Sequence, residues 1–233
     1  MGFSDAQALG VELSGWPQCF TRLPVMECKK WILFDIGGVL EVVDDDAWPQ
    51  KFQRRWQARL GFDPEEYKER IDRAALPFID LSPQTESAYW EGVGRALDMD
   101  QATVAEMRAE MWDQYCGILN VELMDFARGL HPNAGVAILS NSVDGAREEE
   151  ERRYAFSRVF APIIYSHEIG VAKPEAAAYR SALQAMDAEP DQVFFIDDHS
   201  EAVAGAAAVG IRGTLHVGNA ATIEKIEDFL GRP

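Results

Sequence analysis

Residues 31–40, WILFDIGGVL, constrain the fold more than any other part of the chain. An unbroken run of aromatic and branched side chains suits a strand buried on both faces, the condition of a parallel sheet covered by helices on each side. The run ends in a carboxylate, Asp35, followed by Ile36 and Gly37-Gly38, so the chain turns sharply where no Cβ keeps backbone amides from a ligand. In an open α/β sheet, ligands sit outside the carboxyl ends of the strands. An acid fixed there on a rigid strand can serve as nucleophile or metal ligand. Taken singly, an acid before glycines is more often a plain turn, so its meaning depends on what else reaches the same edge.

Further along, strand and helix signals alternate. An apolar strand over 136–139 runs into Ser140-Asn141-Ser142, and a charged helix follows over 145–153, its EEEERR run reading as a solvated face with internal pairing. A short strand over 163–165 precedes GVAKPE (170–175) and an alanine-rich helix ending near Met186, with Pro174 expected in its first turn. The strand over 193–196 is as apolar as the first and ends in Asp197-Asp198-His199-Ser200. A helix over 201–209 capped by Gly210, a strand over 211–217 and a helix over 223–230 complete the pattern. This alternation predicts an α/β fold, a doubly wound, Rossmann-like parallel sheet.

One segment breaks it. Between Trp48 and Trp112 apolar residues recur at helical spacing, with breakers at Gly61-Phe62-Asp63-Pro64, Pro77 and Ser82-Pro83. We expect an inserted all-helical domain of about four helices over 45–115, with Trp48, Trp56, Trp90 and Trp112 packed inside it. The α/β core then comprises 28–44 and 116–233. Residues 1–27, aperiodic and punctuated by Gly and Pro, read as an N-terminal arm or as the product of an upstream start codon with Met26 as the natural beginning.

Bulk properties exclude several roles. A formal net charge of -17 disfavours nucleic acid and anionic membrane as partners, and the most basic stretch, 51–59, reads as one amphipathic helix. Cys19, Cys28 and Cys116 form no CxxC pair, so neither a disulfide framework nor a zinc site is supported and a reduced, cytoplasmic compartment fits. No segment approaches the ~20 apolar residues of a membrane helix, and no export signal is recognisable.

Parallel strands put their carboxyl ends on one edge, so Asp35, Ser140 with Asn141, and Asp197 with Asp198 should converge there, with Lys173 beside them. Three carboxylates repel one another unless a cation sits among them, and hard oxygen ligands suit Mg²⁺. A hydroxyl and an amide can hold phosphate oxygens, while a lysine offsets charge on both phosphate and carboxylate. Such a set suits phosphoryl transfer, where positioning and charge neutralisation do most of the catalysis.

The order strand-acid, strand-Ser, Lys-Pro, strand-Asp-Asp, with a helical insertion after the first, resembles the haloacid dehalogenase superfamily from Lys30 to about Leu230. WILFDIGGVL, AILSNS, GVAKPE and FFIDDHS are similar to its four motifs. The resemblance implies that Asp35 is the nucleophile forming an aspartyl-phosphate, that Ser140, Asn141 and Gly38 bind the phosphoryl group, and that Lys173 stabilises its charge. It also implies that Asp198, with Asp197 close by or through water, holds Mg²⁺ together with Asp35 and the carbonyl of Gly37. The insertion would be the cap that selects a small phosphorylated substrate, expected to be a sugar phosphate.

One position departs from the pattern. Most phosphatases of this superfamily carry a second aspartate, the general acid and base, two residues after the nucleophile; here Gly37 stands there. A positioned acid is worth ~10² to 10⁴ in rate, about 3 to 5 kcal/mol. A similar glycine occurs in a subgroup resembling α-D-glucose-1-phosphate phosphatase. The preferred leaving group is therefore expected to depart without full protonation: an anomeric sugar phosphate, an aryl phosphate or an acyl phosphate. His199 or Asp44 are alternative proton sources. Two other readings stand beside a Mg²⁺ phosphatase: a metal-free 2-haloacid dehalogenase, against which the paired acids speak, and a weakly catalytic phosphometabolite-binding protein, motivated by Gly37.

Overall fold

A computed structural model describes residues 30–42 and 47–231 of the chain. The expected arm over 1–27, the boundary near 44 and the alternative proton source Asp44 lie outside the described residues. In order, the elements are β1 (Trp31–Phe34), β2 (Glu41–Val42), α1 (Trp48–Leu60), α2 (Pro64–Ala74), α3 (Glu86–Ala96), α4 (Gln101–Cys116), β3 (Ile118–Leu119), α5 (Val121–Gly129) and β4 (Gly135–Ser140). They continue with α6 (Ala146–Tyr154), β5 (Ile163–Tyr165), α7 (Ser166–Ile169), α8 (Ala176–Met186), β6 (Val193–Asp197), α9 (Ser200–Ala208), β7 (Arg212–Leu215) and α10 (Asn219–Leu230).

The five longer strands form one parallel sheet in the order β5-β4-β1-β6-β7. From β1 the chain first builds outward through β4 and β5, then returns to add β6 and β7 on the other side. The direction of winding therefore reverses at β1/β6, the place where open sheets leave a crevice. Successive side chains of a strand face opposite ways. Ile32, Phe34, Ile138 and Ile196 accordingly join a core beneath α5 and α10 with Leu123, Ala127 and Ile226. Leu33, Leu139, Val193 and Phe195 join the opposite core beneath α8 and α9 with Tyr179, Ala182 and Ala206. Both faces are covered, which is why β1 and β6 carry continuous apolar runs.

The four helices α1–α4 enclose a separate core of Phe52, Trp56, Tyr67, Trp90, Val93, Leu97 and Met107. Their ends follow local chemistry. Gly61 closes α1 at φ +77°. Asp63 caps α2 by accepting hydrogen bonds from the N–H groups of Glu65 and Glu66 at 3.0 and 2.9 Å, with Pro64 leading the helix. Asp100 caps α4 through Thr103 at 2.8 Å.

Several expectations need correction. Trp112 is 1% exposed but packs with the sheet core, not inside the helical bundle, and its Nε1 donates to Glu86 at 3.0 Å. In the EEEERR run of α6, Glu150 is fully buried, so that helix is not solvated all round. Pro174 is not in the first turn of α8, which starts at Ala176. It lies in a turn closed by the Glu175 N–H donating to the Ala172 carbonyl at 3.0 Å. The pair β2 and β3, antiparallel and two residues each, is too short to have left a sequence signal.

Candidate active site

Register builds the site. Phe34 lies level with Ile138 of β4 and Ile196 of β6. One step further along, Asp35 stands beside Asp197, and Ser140 ends the strand on its other flank. After Asp35 the chain makes a single tight turn in which the N–H groups of Val39, Leu40 and Glu41 all donate to the Ile36 carbonyl. This turn leaves Gly37 exposed above the strand end.

Lys173 fastens the acids. Its buried Nζ lies 2.7 Å from Asp35 Oδ1 and 2.6 Å from Asp197 Oδ2. Burial pushes the Asp35 carboxyl up to about 7, opposed by the Lys173 charge and reinforced by Asp197. The second oxygen of Asp197 accepts the His199 N–H at 2.8 Å, so both of its oxygens are engaged. Asp198 is half-buried and its Oδ1 pairs with His199 Nδ1 at 2.7 Å; that hydrogen bond raises the His199 pKa. The His199 ring is 76% exposed.

Asp35, Asp197, Asp198 and His199 each offer one ligand atom, all within 4.8 Å of one another. Three hard oxygens crowded this closely, with one lysine among them, fit a small divalent cation such as Mg²⁺. Gly38 makes the crowding possible. It sits at φ +71°, and a Cβ there would fall 2.1 Å from Asp198 Oδ2. Its N–H donates to the Glu41 carbonyl at 2.8 Å, so the amide is already engaged by the protein.

On the other flank Ser140 is buried and its hydroxyl makes one long bond, 3.3 Å to the Asn141 carbonyl. The Asn141 side chain forms a reciprocal pair with the backbone of Lys173: Nδ2 donates to the Lys173 carbonyl at 2.9 Å, and Oδ1 accepts the Lys173 N–H at 2.8 Å. The amide thus positions Lys173.

Sequence reasoning missed two groups of residues. Asp144, on the loop after β4, accepts the N–H groups of Thr85 and Glu86 at 2.7 Å each and donates its own N–H to the Ile79 carbonyl at 2.7 Å. Glu86 in turn accepts from Arg108 Nε at 2.7 Å and from Trp112. Together these tie the helical insertion to the sheet edge. The second group is Glu41 and Glu150, both buried, each with an Oε1 lacking a hydrogen-bond partner among the described residues. Burial raises both carboxyls, Glu150 to about 8 and Glu41, which also feels the Glu150 charge, to about 10. The hydroxyl of Tyr165 donates to Glu150 Oε2. A signal for Glu150 existed: Ala146, Glu150 and Tyr154 share one helical stripe.

Among the described residues no helix is long and apolar enough to cross a membrane. The family model described as haloacid dehalogenase-like hydrolase matches residues 29–210. No curated protein matches the chain by sequence. Among solved structures, a HAD family enzyme from Bacteroides thetaiotaomicron in a magnesium complex superposes with a TM-score of 0.63 at 21% identity, over 81% of this chain and 93% of that one. A 2-haloacid dehalogenase from Pseudomonas syringae pv. Tomato DC3000 gives 0.60 at 16% identity, over 87% and 98%. A structure from Porphyromonas gingivalis, described as a predicted HAD-like family hydrolase, gives 0.61 at 18%, over 88% and 99%. At these identities the likeness concerns the fold.

Proposed function

The chain belongs to the haloacid dehalogenase-like hydrolases, and from that premise we propose that it is a Mg²⁺-dependent phosphatase acting on a small phosphorylated metabolite through an aspartyl-phosphate. The observation that carries this reading is the gathering of Asp35, Asp197 and Asp198 within 4.8 Å, with Lys173 Nζ 2.7 Å from Asp35. Asp35 uses the carboxylate oxygen not held by Lys173 to attack phosphorus. The P–O bond to the leaving group breaks and its electron pair departs on the leaving oxygen. Water then attacks the same phosphorus, releasing inorganic phosphate and restoring the Asp35 carboxylate.

Lys173 neutralises charge on Asp35 and on the transferring group, and the Asn141 amide holds it in place. The Ser140 hydroxyl, only loosely bonded, is available to a phosphoryl oxygen. Asp35, Asp198 and the Gly37 carbonyl would hold Mg²⁺, with Asp197 behind them, and the ion supplies charge neutralisation at the phosphoryl oxygens. The four inserted helices act as the cap over 45–115, choosing the substrate and excluding water.

A 2-haloacid dehalogenase, in which Asp35 attacks carbon, gives the half-buried Asp198 and its close contact with Gly38 no task. A mere binder of phosphometabolites has no need of the Lys173–Asp35 pair. Phosphate release from a panel of phosphorylated metabolites, with Mg²⁺ or with chelator, separates the three. We expect Mg²⁺-dependent turnover that Asp35→Asn abolishes, and Mg²⁺-dependent trapping of a metallofluoride at Asp35. Chloride release from 2-chloropropionate without Mg²⁺, or the absence of both turnover and trapping, would overturn the reading.

A further inference from the structure

Within the helical insertion, where it meets Val143 of the loop after β4, lies a cavity of about 530 Å³, within the range that takes small organic ligands. Its walls are aromatic: Trp48, Phe52, Tyr67, Tyr89, Trp90 and Tyr115 all line it. Met107 and Met111 add polarizable sulfur, which packs well against ring edges. The charged and amide groups at the cavity, Lys68, Asp72 and Gln53, are exposed, and the first two pair with each other, so they form its rim.

Two residues connect this space with the candidate active site. Val143, on the cavity wall, is three positions beyond Ser140, the last residue of β4. Tyr115, also on the wall, packs against the sheet core that includes Phe34 and Ile36, the neighbours of Asp35 on either side. The hydroxyls of Tyr67, Tyr89 and Tyr115 have no hydrogen-bond partner among the described residues, leaving a few polar handles in an otherwise apolar wall.

A hexose would bring several hydroxyls into this space and leave most of them without partners, at a cost for each. An aromatic ring brings none and stacks on the walls. An independent observation agrees. Gly37 supplies no acid, which favours a leaving oxygen that departs largely unprotonated, as a phenolate or an anomeric oxygen does and an ordinary alkoxide does not, and the cavity's shortage of polar partners then favours the phenol over the sugar.

Resting on the phosphatase reading above, we propose that this cavity receives the aromatic ring of an aryl phosphate, so that the substrate class is phosphate monoesters of phenols with one or two fused rings. In turnover the Asp35 oxygen forms its bond to phosphorus as the P–O(aryl) bond breaks, and the phenolate takes its proton from water after release.

The test uses the full chain with Mg²⁺ and 1-naphthyl phosphate as probe. In Asp35→Asn, quenching of Trp48 and Trp90 fluorescence should saturate at least tenfold below the concentration at which inorganic phosphate competes. In the wild type, kcat/KM for 1-naphthyl phosphate should exceed that for a hexose 1-phosphate by ~10-fold to 200-fold, the range an apolar pocket discriminates. Val93→Phe on α3, and separately Ile71→Phe on α2, fill the cavity and should weaken naphthyl phosphate binding tenfold or more, with thermal melts confirming that each variant folds.

Naphthyl phosphate binding no tighter than inorganic phosphate in Asp35→Asn would overturn the inference, whatever the filling variants do. If acetyl phosphate is still hydrolysed with Mg²⁺ in that case, the phosphatase reading survives alone. Tight naphthyl phosphate binding without turnover of any phosphate ester would leave the aromatic site standing and sink the phosphatase.

Discussion

Replacing Glu150 with glutamine should stabilise the protein, and do so more as pH rises. Glu150 is fully buried, one of its oxygens has no partner among the described residues, and burial lifts its pKa from 4.5 to about 8. The folded state therefore binds this proton more tightly than the unfolded state does. Its favourable contribution is complete below pH 4.5 and declines as pH rises toward 8, where the folded group itself ionises. Across that window the residue costs about 1.4 kcal/mol per pH unit, or roughly 3 kcal/mol by pH 7. Glutamine keeps the shape and the acceptor for Tyr165 without needing a proton. Its amide hydrogens are imperfectly paired in turn, which removes about 1 kcal/mol of the gain.

The net expectation at pH 7 is about 2 kcal/mol, or ~4–8 °C in Tm for a chain of this size, shrinking to about zero at pH 5. Urea melts of wild type and Glu150→Gln at pH 5, 6, 7 and 8 measure it. The reasoning fails if the two proteins show parallel pH profiles, because the wild-type carboxyl would then be ionised in the fold as easily as outside it.

Other perturbations address the site and its attachments. Gly38→Ala puts a Cβ 2.1 Å from Asp198 Oδ2 at a φ of +71°, so calorimetry should show Mg²⁺ affinity reduced at least tenfold. At Gly37 a Cβ meets nothing within 4 Å. Gly37→Asp should therefore fold normally and raise kcat/KM for alkyl phosphates by ~10-fold to 100-fold, with little change for aryl phosphates, which need no acid. Asp144→Ala removes both caps of α3 at 2.7 Å and should cost about 1–2 kcal/mol by denaturant melt. Burial raises the Asp144 carboxyl, but backbone N–H groups outweigh this and hold it below 3.8. Its contribution is therefore present above pH 3.8 and fades only as pH falls through the lower folded value.

The sheet and the meeting of its acids were legible because they rest on patterns that neighbours cannot override. A strand covered on both faces must be apolar throughout, and parallel register then carries Asp35 and Asp197 to the same level however far apart they stand in the chain. Side-chain partnerships were less legible. Nothing local distinguishes Asn141 as a clamp on Lys173 from Asn141 as a phosphate ligand, since either uses the same amide. Trp112 reads as bundle packing by helical spacing, yet the last turns of α4 leave the bundle and reach the sheet core. Glu150 was hidden by three neighbouring glutamates, although its stripe with Ala146 and Tyr154 marked the face that turns inward.

The fastening at Asp144 and Glu86 also bears on modular exchange. A chimera that borrows the inserted helices from a relative imports one half of a joint whose other half belongs to the host strand loop. Transplants should therefore succeed when the recipient offers an acid where Asp144 stands and the donor brings the equivalents of Glu86, Arg108 and Trp112 as a unit. Cutting at the apparent linkers alone would deliver a well-made lid with nothing to bolt it down.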